Sequence, residues 1–377
     1  MTRQSILLVS SAFYPEISPR SFRATELAKE FARQGHEVIV MSKYRSYNYA
    51  NFLKEFPITI KMWRKQIWPV FPGFNIRWLS ILSRIFNRFL SLVFEYPNIE
   101  GMFRVRNILK GEKGYDLMIS FAVPFPVHWG VSWARTEKNP IAKIWIADCG
   151  DPYMFARLDS FKKPFYFKIP EVNFCHKCDY ISVPFDQMRN QFYPEFRSKI
   201  EVIPQGINFN EVVVSKENPK NEKPVFVFAG SIIPGKRDLT LFLDFLSSIS
   251  TDFLFIVYTN QNFWFKKYKL TLNEKLVLNE YIDRLPLIYE ISKADFLVNV
   301  DTIFDTQSEV EAVPSKLIDY ALARRPILNL IHSFLDKGMV MEFLNGDYSR
   351  QRVVNLLNHD ISKVALKFLE LVNRETK

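Results

Sequence analysis

Short apolar runs separated by helical patterns recur along the chain. The run "ILLVS" (6–10) has the form of a strand buried on both faces. After it, "SPRSFRATELAKEFARQGHEVIVMS" supplies a helix and a second strand. Within that helix Ala24, Leu27, Ala28 and Phe31 fall at i, i+3, i+4 and i+7, and Gly35 stands where a helix-ending glycine belongs. A strand, a crossover helix and a second strand of this kind begin a parallel sheet with a right-handed connection. Further strands are predicted at "DLMIS" (116–120), "KIWIA" (143–147), "YISV" (180–183) and "IEVI" (200–203).

Beyond a polar, proline-flanked run at 215–224, the best linker candidate, the pattern restarts with "VFVFAG" (225–230). Strands at "FLFIV" (253–257), "FLVNV" (296–300) and "ILNLI" (327–331) follow, separated by helical stretches, and "ISKVALKFLELVNRE" closes the chain as an amphipathic helix. The fold class is therefore α/β, with two Rossmann-like, doubly wound parallel-sheet domains facing a cleft. We divide the chain into an N-terminal domain (1–208), a C-terminal domain (209–360) and a terminal helix (361–377) able to cross back to the first.

One segment breaks the alternation. Residues 57–94 hold six basic residues and no acid. Over 77–94, Arg77, Ser80, Arg84, Asn87, Arg88 and Ser91 recur at helical spacing against Trp78, Ile81, Leu82, Ile85, Phe86 and Phe89. That is the form of a helix lying in a membrane interface; the alternative is a helix packed on the domain with its basic face solvated.

Composition narrows the class. At 377 residues, 48% apolar and 24% charged, the chain is globular, and its net charge of +10 points to an acidic partner or to an ordinary basic surface. Nucleic acid is not expected, since no nucleic-acid motif accompanies the basic and aromatic residues. Three cysteines cannot form a disulfide framework, and "CHKC" (175–178) lacks the further ligands of a zinc site, so no metal is expected. The first apolar run is too short for a signal peptide, and none approaches the ~18 residues of a spanning helix. A cytoplasmic protein, soluble or attached to a membrane from one side, is expected.

Two stretches of the second half carry candidate chemistry. "FAGSIIPGKRDLT" sets Gly230, Ser231, Lys236 and Arg237 between a strand and a helix, where free N–H groups and positive charge could cradle a diphosphate. A solvated Lys-Arg pair at a helix start is the plainer alternative. In "EAVPSKLIDYALARRPIL" (311–328), Pro314 suits a first helical turn. The N–H groups of Ser315, Lys316 and Leu317 then point out of the helix end, where the dipole favours an anion. With a phosphate there, Glu311 and Asp319 are left to accept hydrogen bonds from hydroxyls, the arrangement a nucleotide sugar requires. An ordinary capped helix on a core remains the alternative.

In the first half, Asp148 and Asp151 follow the "KIWIA" strand, where such domains place active groups, although paired acids there also serve as turn-formers and caps. Arg20 and Arg23 open the first helix on the same side, and His128 is a further candidate, though a lone histidine is more often structural.

These stretches resemble glycosyltransferase family 4, of the GT-B fold, over nearly the whole chain. The family's paired-acid signature corresponds to Glu311 and Asp319, and "PSKLIDY" is similar to a form common in surface-polysaccharide transferases. "YPEISPRSFRATELAKEFARQGHEVIVMS", "EVIPQGIN" and "IWIADCGDPY" resemble its opening, its interdomain passage and its first-domain acidic segment. The pattern departs at Asp319 (usually Glu), at Ser231 (often Arg), at Gly150 and Tyr153, and at Arg324, where a glycine is usual.

The resemblance implies that Glu311 contacts the donor sugar, Asp319 the ribose, and Lys236 with Arg237 the diphosphate, and it raises Asp151 as the group near the acceptor hydroxyl. The implied activity is retaining, metal-independent transfer of a hexosyl group from a nucleoside-diphosphate sugar, used as substrate with no cofactor. The acceptor would be a hydroxyl of a lipid-linked saccharide or oligosaccharide in surface polysaccharide synthesis, such as lipopolysaccharide or capsule. The basic segment 57–94 would hold the enzyme on an anionic membrane surface, at the inner face of the plasma membrane. The rivals are a nucleotide-sugar epimerase of similar fold and a catalytically degenerate homologue that binds sugar or membrane.

Overall fold

The structure, a computed structural model, describes residues 2–70, 77–156, 161–215, 221–301 and 315–374. It divides into two compact units, Met1–Ile207 together with Asn358–Lys377, and Asn208–Leu357.

The first unit contains β1 (Ser5–Ser10), α1 (Pro19–Arg33), β2 (Glu37–Lys43), α2 (Ala50–Glu55), β3 (Ile58–Trp63), α3 (Arg77–Phe94), α4 (Glu100–Leu109) and β4 (Tyr115–Ala122). It continues with α5 (Pro126–Ala134), β5 (Ala142–Cys149), α6 (Lys168–Lys177), β6 (Tyr180–Val183) and β7 (Ile200–Val202). Its seven strands form one parallel sheet in the order β3-β2-β1-β4-β5-β6-β7. Side chains alternate along β1, so Leu7 and Val9 join one core and Ile6 and Leu8 another. Both faces are covered, which is why the strand reads as a continuous apolar run. Ser18 caps α1 by accepting from the Ser21 N–H, Pro19 follows, and the predicted stripe Ala24, Leu27, Ala28 and Phe31 is buried.

The second unit contains β8 (Val225–Ala229), α7 (Thr240–Ser248), β9 (Leu254–Tyr258), α8 (Lys266–Leu272), β10 (Leu276–Asn279), α9 (Arg284–Ile291), β11 (Phe296–Asp301), α10 (Ser315–Leu322), β12 (Ile327–Ile331) and α11 (Lys337–Leu344). Its parallel sheet runs β10-β9-β8-β11-β12. Phe226 of central β8 stacks on Phe296 and Phe255 at 4.8 and 4.9 Å, so aromatic contacts join three neighbouring strands. The last helix, α12 (Ile361–Arg374), belongs to the first unit. There Val364, Ala365 and Phe368 share a core with Ala24, Leu27 and Phe31 of α1.

The segment 57–94 is not one element. Ile58–Trp63 is β3, paired along its length with β2, and Ile58 and Trp63 are buried. As an edge strand it tolerates Thr59 and Lys61, and this polar interleaving hides a strand inside a basic aromatic run. Among the segment's described residues only Arg77–Phe94 is helical over more than one turn. Among the described residues no helix is long and apolar enough to cross a membrane.

Candidate active site

In the second unit, potential ligand groups gather at the carboxyl ends of β8 and β11 and at the start of α10. Gly230 follows β8 with φ +143°, a conformation that favours glycine. A Cβ there would stand 3.5 Å from the Lys316 side chain, so Lys316 passes directly over this turn. The Lys316 ammonium lies 4.5 Å from the Phe228 ring centroid and 5.4 Å from that of Tyr320, both buried rings. Burial, and then repulsion by Arg237, lowers its pKa to about 7, against a smaller opposing pull from Asp301. Ser315, Lys316 and Leu317 open α10, and by helix geometry their N–H groups point out of its end.

Tyr320 secures this arrangement. Its hydroxyl accepts from the Ala229 N–H at 2.8 Å and donates to the Val298 carbonyl at 3.2 Å, tying α10 to the end of β8 and the middle of β11. The Ile233–Arg237 turn leaves Lys236 half-buried and Arg237 exposed, and Ser231 is exposed as well. Asp319 is buried and accepts from Arg284 Nε at 2.7 Å. Burial raises its pKa, with Arg284 opposing the rise.

In the first unit, Asp151 is exposed just beyond β5 and pairs with Arg20 at 3.1 Å. A Cβ on Gly150 would fall 1.5–1.7 Å from the Arg20 guanidinium atoms, so the guanidinium occupies space that only glycine leaves open. Asp148 and Arg23 form a buried pair, with Arg23 Nε and Nη2 donating to the two carboxylate oxygens at 2.7 and 2.6 Å.

A profile of Glycosyltransferase Family 4 matches residues 22–211, half of the sequence. The chain belongs to glycosyltransferase family 4. Solved structures share its fold at low identity. A glycosyltransferase from Rickettsia africae has a TM-score of 0.59 at 12% identity, covering 99% of this chain and 94% of that one. The Anabaena protein HepE, solved in complex with UDP-glucose, has a TM-score of 0.60 at 9% identity, covering 99% and 100%. The lipopolysaccharide outer core galactosyltransferase WaaB has a TM-score of 0.56 at 12% identity, covering 99% and 100%. Their likeness establishes the GT-B fold of two parallel-sheet, Rossmann-like domains. No curated protein sequence matches the chain.

Within this glycosyltransferase the expected site residues separate into groups. Gly230, Lys316 and Arg237 come together, with Ser315 and Leu317 on the same helix end. Arg20 and Asp151 also meet. Glu311 and Pro314 lie outside the described residues. Two expectations, His128 and Asp148, need correction. His128 is fully buried, its ring nitrogens facing the Ser120 hydroxyl at 2.7 Å and the Cys149 thiol at 3.5 Å. Burial drives its pKa down to about 3, so it is a neutral core histidine, not a group at the acceptor. Asp148 and Arg23 satisfy each other inside the fold, so Asp148 is a buried partner of Arg23 and not an exposed group at the acceptor. Any ribose contact of Asp319 shares the carboxylate with Arg284. Cys175 and Cys178 are buried core thiols, and burial pushes the Cys178 thiol up to about 12.

Arg284, Asp301 and Tyr320 were missed by sequence reasoning. Asp301 had a usable signal, an acid closing the apolar run "FLVNVD" at the strand end where such domains bind ligands. Arg324 has φ +56°, in the left-handed region, which explains why the family pattern has a glycine at this position.

Proposed function

We propose that this glycosyltransferase moves a hexosyl group from a nucleoside-diphosphate sugar to a hydroxyl of a lipid-linked saccharide, in surface polysaccharide synthesis, with retention of configuration. The observation carrying this reading is the Lys316 ammonium held against Phe228 and Tyr320 beside Gly230, at the open end of α10. The costly event in sugar transfer is departure of the diphosphate as positive charge develops on the sugar. Lys316, Arg237 and the helix-end N–H groups stabilise the negative charge that grows on the leaving group. Lys316 and the helix-end N–H groups are in place before reaction, so little reorganisation is needed there, and no divalent cation is required in this reading. Asp151, held by Arg20, sits on the acceptor side near the incoming hydroxyl. Retention is the outcome that the family implies. HepE, solved with UDP-glucose, and the lipopolysaccharide enzyme WaaB support a nucleotide-sugar donor and a surface-glycan acceptor.

A membrane location is supported by α3. Ile81, Leu82, Ile85, Phe86 and Phe89 are exposed on it, beside exposed Arg84 and Arg88. Arg88 lies over the Phe161 ring and the Tyr166 hydroxyl donates to the Val93 carbonyl, so exposed Phe161, Phe165 and Ile169 extend the same surface. Apolar side chains flanked by cations suit an anionic bilayer, here assigned to the inner face of the plasma membrane. Flotation with anionic but not zwitterionic vesicles is expected, weakened in Ile85→Glu/Phe89→Glu; equal flotation with both vesicle types would sink this part.

The donor assignment is tested by a thermal-shift panel of UDP-, GDP-, ADP- and CMP-linked sugars, with EDTA present. One nucleoside diphosphate class should stabilise the protein, by roughly 2.7 kcal/mol at a hundredfold excess over Kd. The anomeric coupling of the product, read by NMR, then checks retention. If no nucleotide shifts the melting temperature, the transferase reading fails and a non-catalytic homologue takes its place.

A further inference from the structure

A cavity of about 340 Å³ lies within the first unit, at the carboxyl ends of β1, β2, β3 and β4. Its cations are Arg20, Lys43, Arg45, Arg64 and Arg104, against the carboxylates of Glu16 and Glu100. Three of these cations have acidic partners: Arg104 with Glu100 at 2.7 Å, Arg45 with Glu16, and Arg20 with Asp151 at 3.1 Å. The other two do not. Lys43 Nζ donates to the Gln66 amide oxygen at 2.8 Å, and Arg64 has no hydrogen-bond or ion-pair partner among the described residues. Arg45 Nε is buried with no acceptor.

Gathering positive charge around one cavity costs Coulomb energy that a bound anion recovers, and a buried N–H without an acceptor adds to the demand. Exposed apolar residues adjoin the cavity at Gln66 and Glu100. Next to Gln66 in the chain, Ile67, Trp68 and Val70 are exposed, and the Ile67 and Trp68 N–H groups donate to the cavity carboxylate of Glu100 at 3.0 and 2.9 Å. The Trp68 ring stacks on Tyr96 at 5.7 Å, so this edge is built. A ligand that satisfies both features has a phosphate at one end and hydrocarbon beside it.

Resting on the transferase reading above, we infer that the acceptor carries a phosphate or diphosphate group, which Lys43 and Arg64 bind in this cavity with Arg45 Nε as a further donor. The two unmatched cations suit a doubly charged group, and the arginines offer it paired N–H donors. The shared chemistry is the phosphate; its carrier is either a polyisoprenyl chain in the membrane or a soluble saccharide.

The test is calorimetric titration of the full chain with farnesyl diphosphate, inorganic pyrophosphate and farnesol, with the donor site saturated by the nucleotide found in the thermal-shift panel. Farnesyl diphosphate should bind, and Lys43→Gln and Arg64→Gln should each weaken it about tenfold or more, as expected for charge-assisted hydrogen bonds. Arg64→Lys should recover part of the loss, which separates recognition from misfolding. Lys316→Ala, in the other unit, should leave this binding unchanged while reducing the nucleotide shift. Pyrophosphate binding as tightly as the farnesyl compound supports the inference with a soluble carrier; preference for the farnesyl compound supports it with a lipid one. Farnesol binding as tightly as its diphosphate, or indifference to both glutamine variants, overturns the inference and leaves the donor reading intact. Binding here with no nucleotide shift in the second unit would instead sink the transferase reading and keep the phosphate site.

Discussion

Asp148→Ala is expected to destabilise the first unit by about 3–5 kcal/mol, the cost of leaving a buried charge without its partner. The side chains of Arg23 and Asp148 are 4% and 2% exposed. Besides its two bonds to the carboxylate, Arg23 donates to the carbonyls of Pro204 and Ile203 at 2.7 and 2.9 Å. Its guanidinium lies 5.6 Å from the Phe368 ring centroid. The Ser182 hydroxyl donates to the same carboxylate at 2.6 Å. Through this cluster α1, β5, β6, the 203–204 segment and α12 are joined, so the loss spreads over the unit. Six of the seven tryptophans belong to this unit, so urea unfolding followed by tryptophan fluorescence reports on it. The midpoint should fall sharply with little change in slope. Asp148→Asn, which keeps one acceptor, should cost less. A loss below about 1 kcal/mol for the alanine variant would show that the pair is not buried as described.

The second large effect is on donor binding. Lys316→Ala should weaken a nucleoside-diphosphate sugar by roughly ten- to a hundredfold, the range for losing a charged hydrogen-bond donor. The wild type should also bind more weakly as pH rises. Burial and Arg237 hold the free lysine near a pKa of about 7, whereas a bound diphosphate favours the ammonium and raises that value. Binding therefore takes up a proton between the free and bound pKa values, and affinity falls by up to about tenfold per pH unit above 7. A nucleotide sugar serves better than a free nucleoside diphosphate, because the charge of its diphosphate diester is constant throughout this range. Calorimetry in buffers of different ionisation enthalpy measures the uptake directly. Equal affinity from pH 6 to 9, or an unchanged pH slope in Lys316→Ala, would exclude Lys316 as a phosphate ligand.

How far the site was legible depended on the type of interaction. Gly230, Arg237 and the start of α10 could be read because a strand end, a small residue and a helix start are neighbours along the chain. Lys316 was legible only for its main-chain N–H. That its ammonium lies over Phe228 and Tyr320 follows from the packing of α10 on β8, which no spacing encodes. His128 and Asp148 misled for the same reason: both are polar residues close to the strand tips, and only burial shows that they serve the interior. The cavity cations Lys43, which ends β2, and Arg64, just beyond β3, share no motif, so only the pairing of β2 with β3 brings them together.

By itself the sequence determined the alternation of strands and helices, the parallel winding and the stripe by which α1 meets its core, because hydrophobic periodicity is a local property. It also determined which residues could favour an anion. Tertiary structure alone decided which charges cancel. Arg23 and Asp148 stand 125 residues apart, and Arg284 and Asp319 stand 35 apart, yet each pair is in contact. Coulomb attraction and the cost of desolvation depend on distance and burial in space, so the same residue types become a buried brace in one place and a ligand site in another.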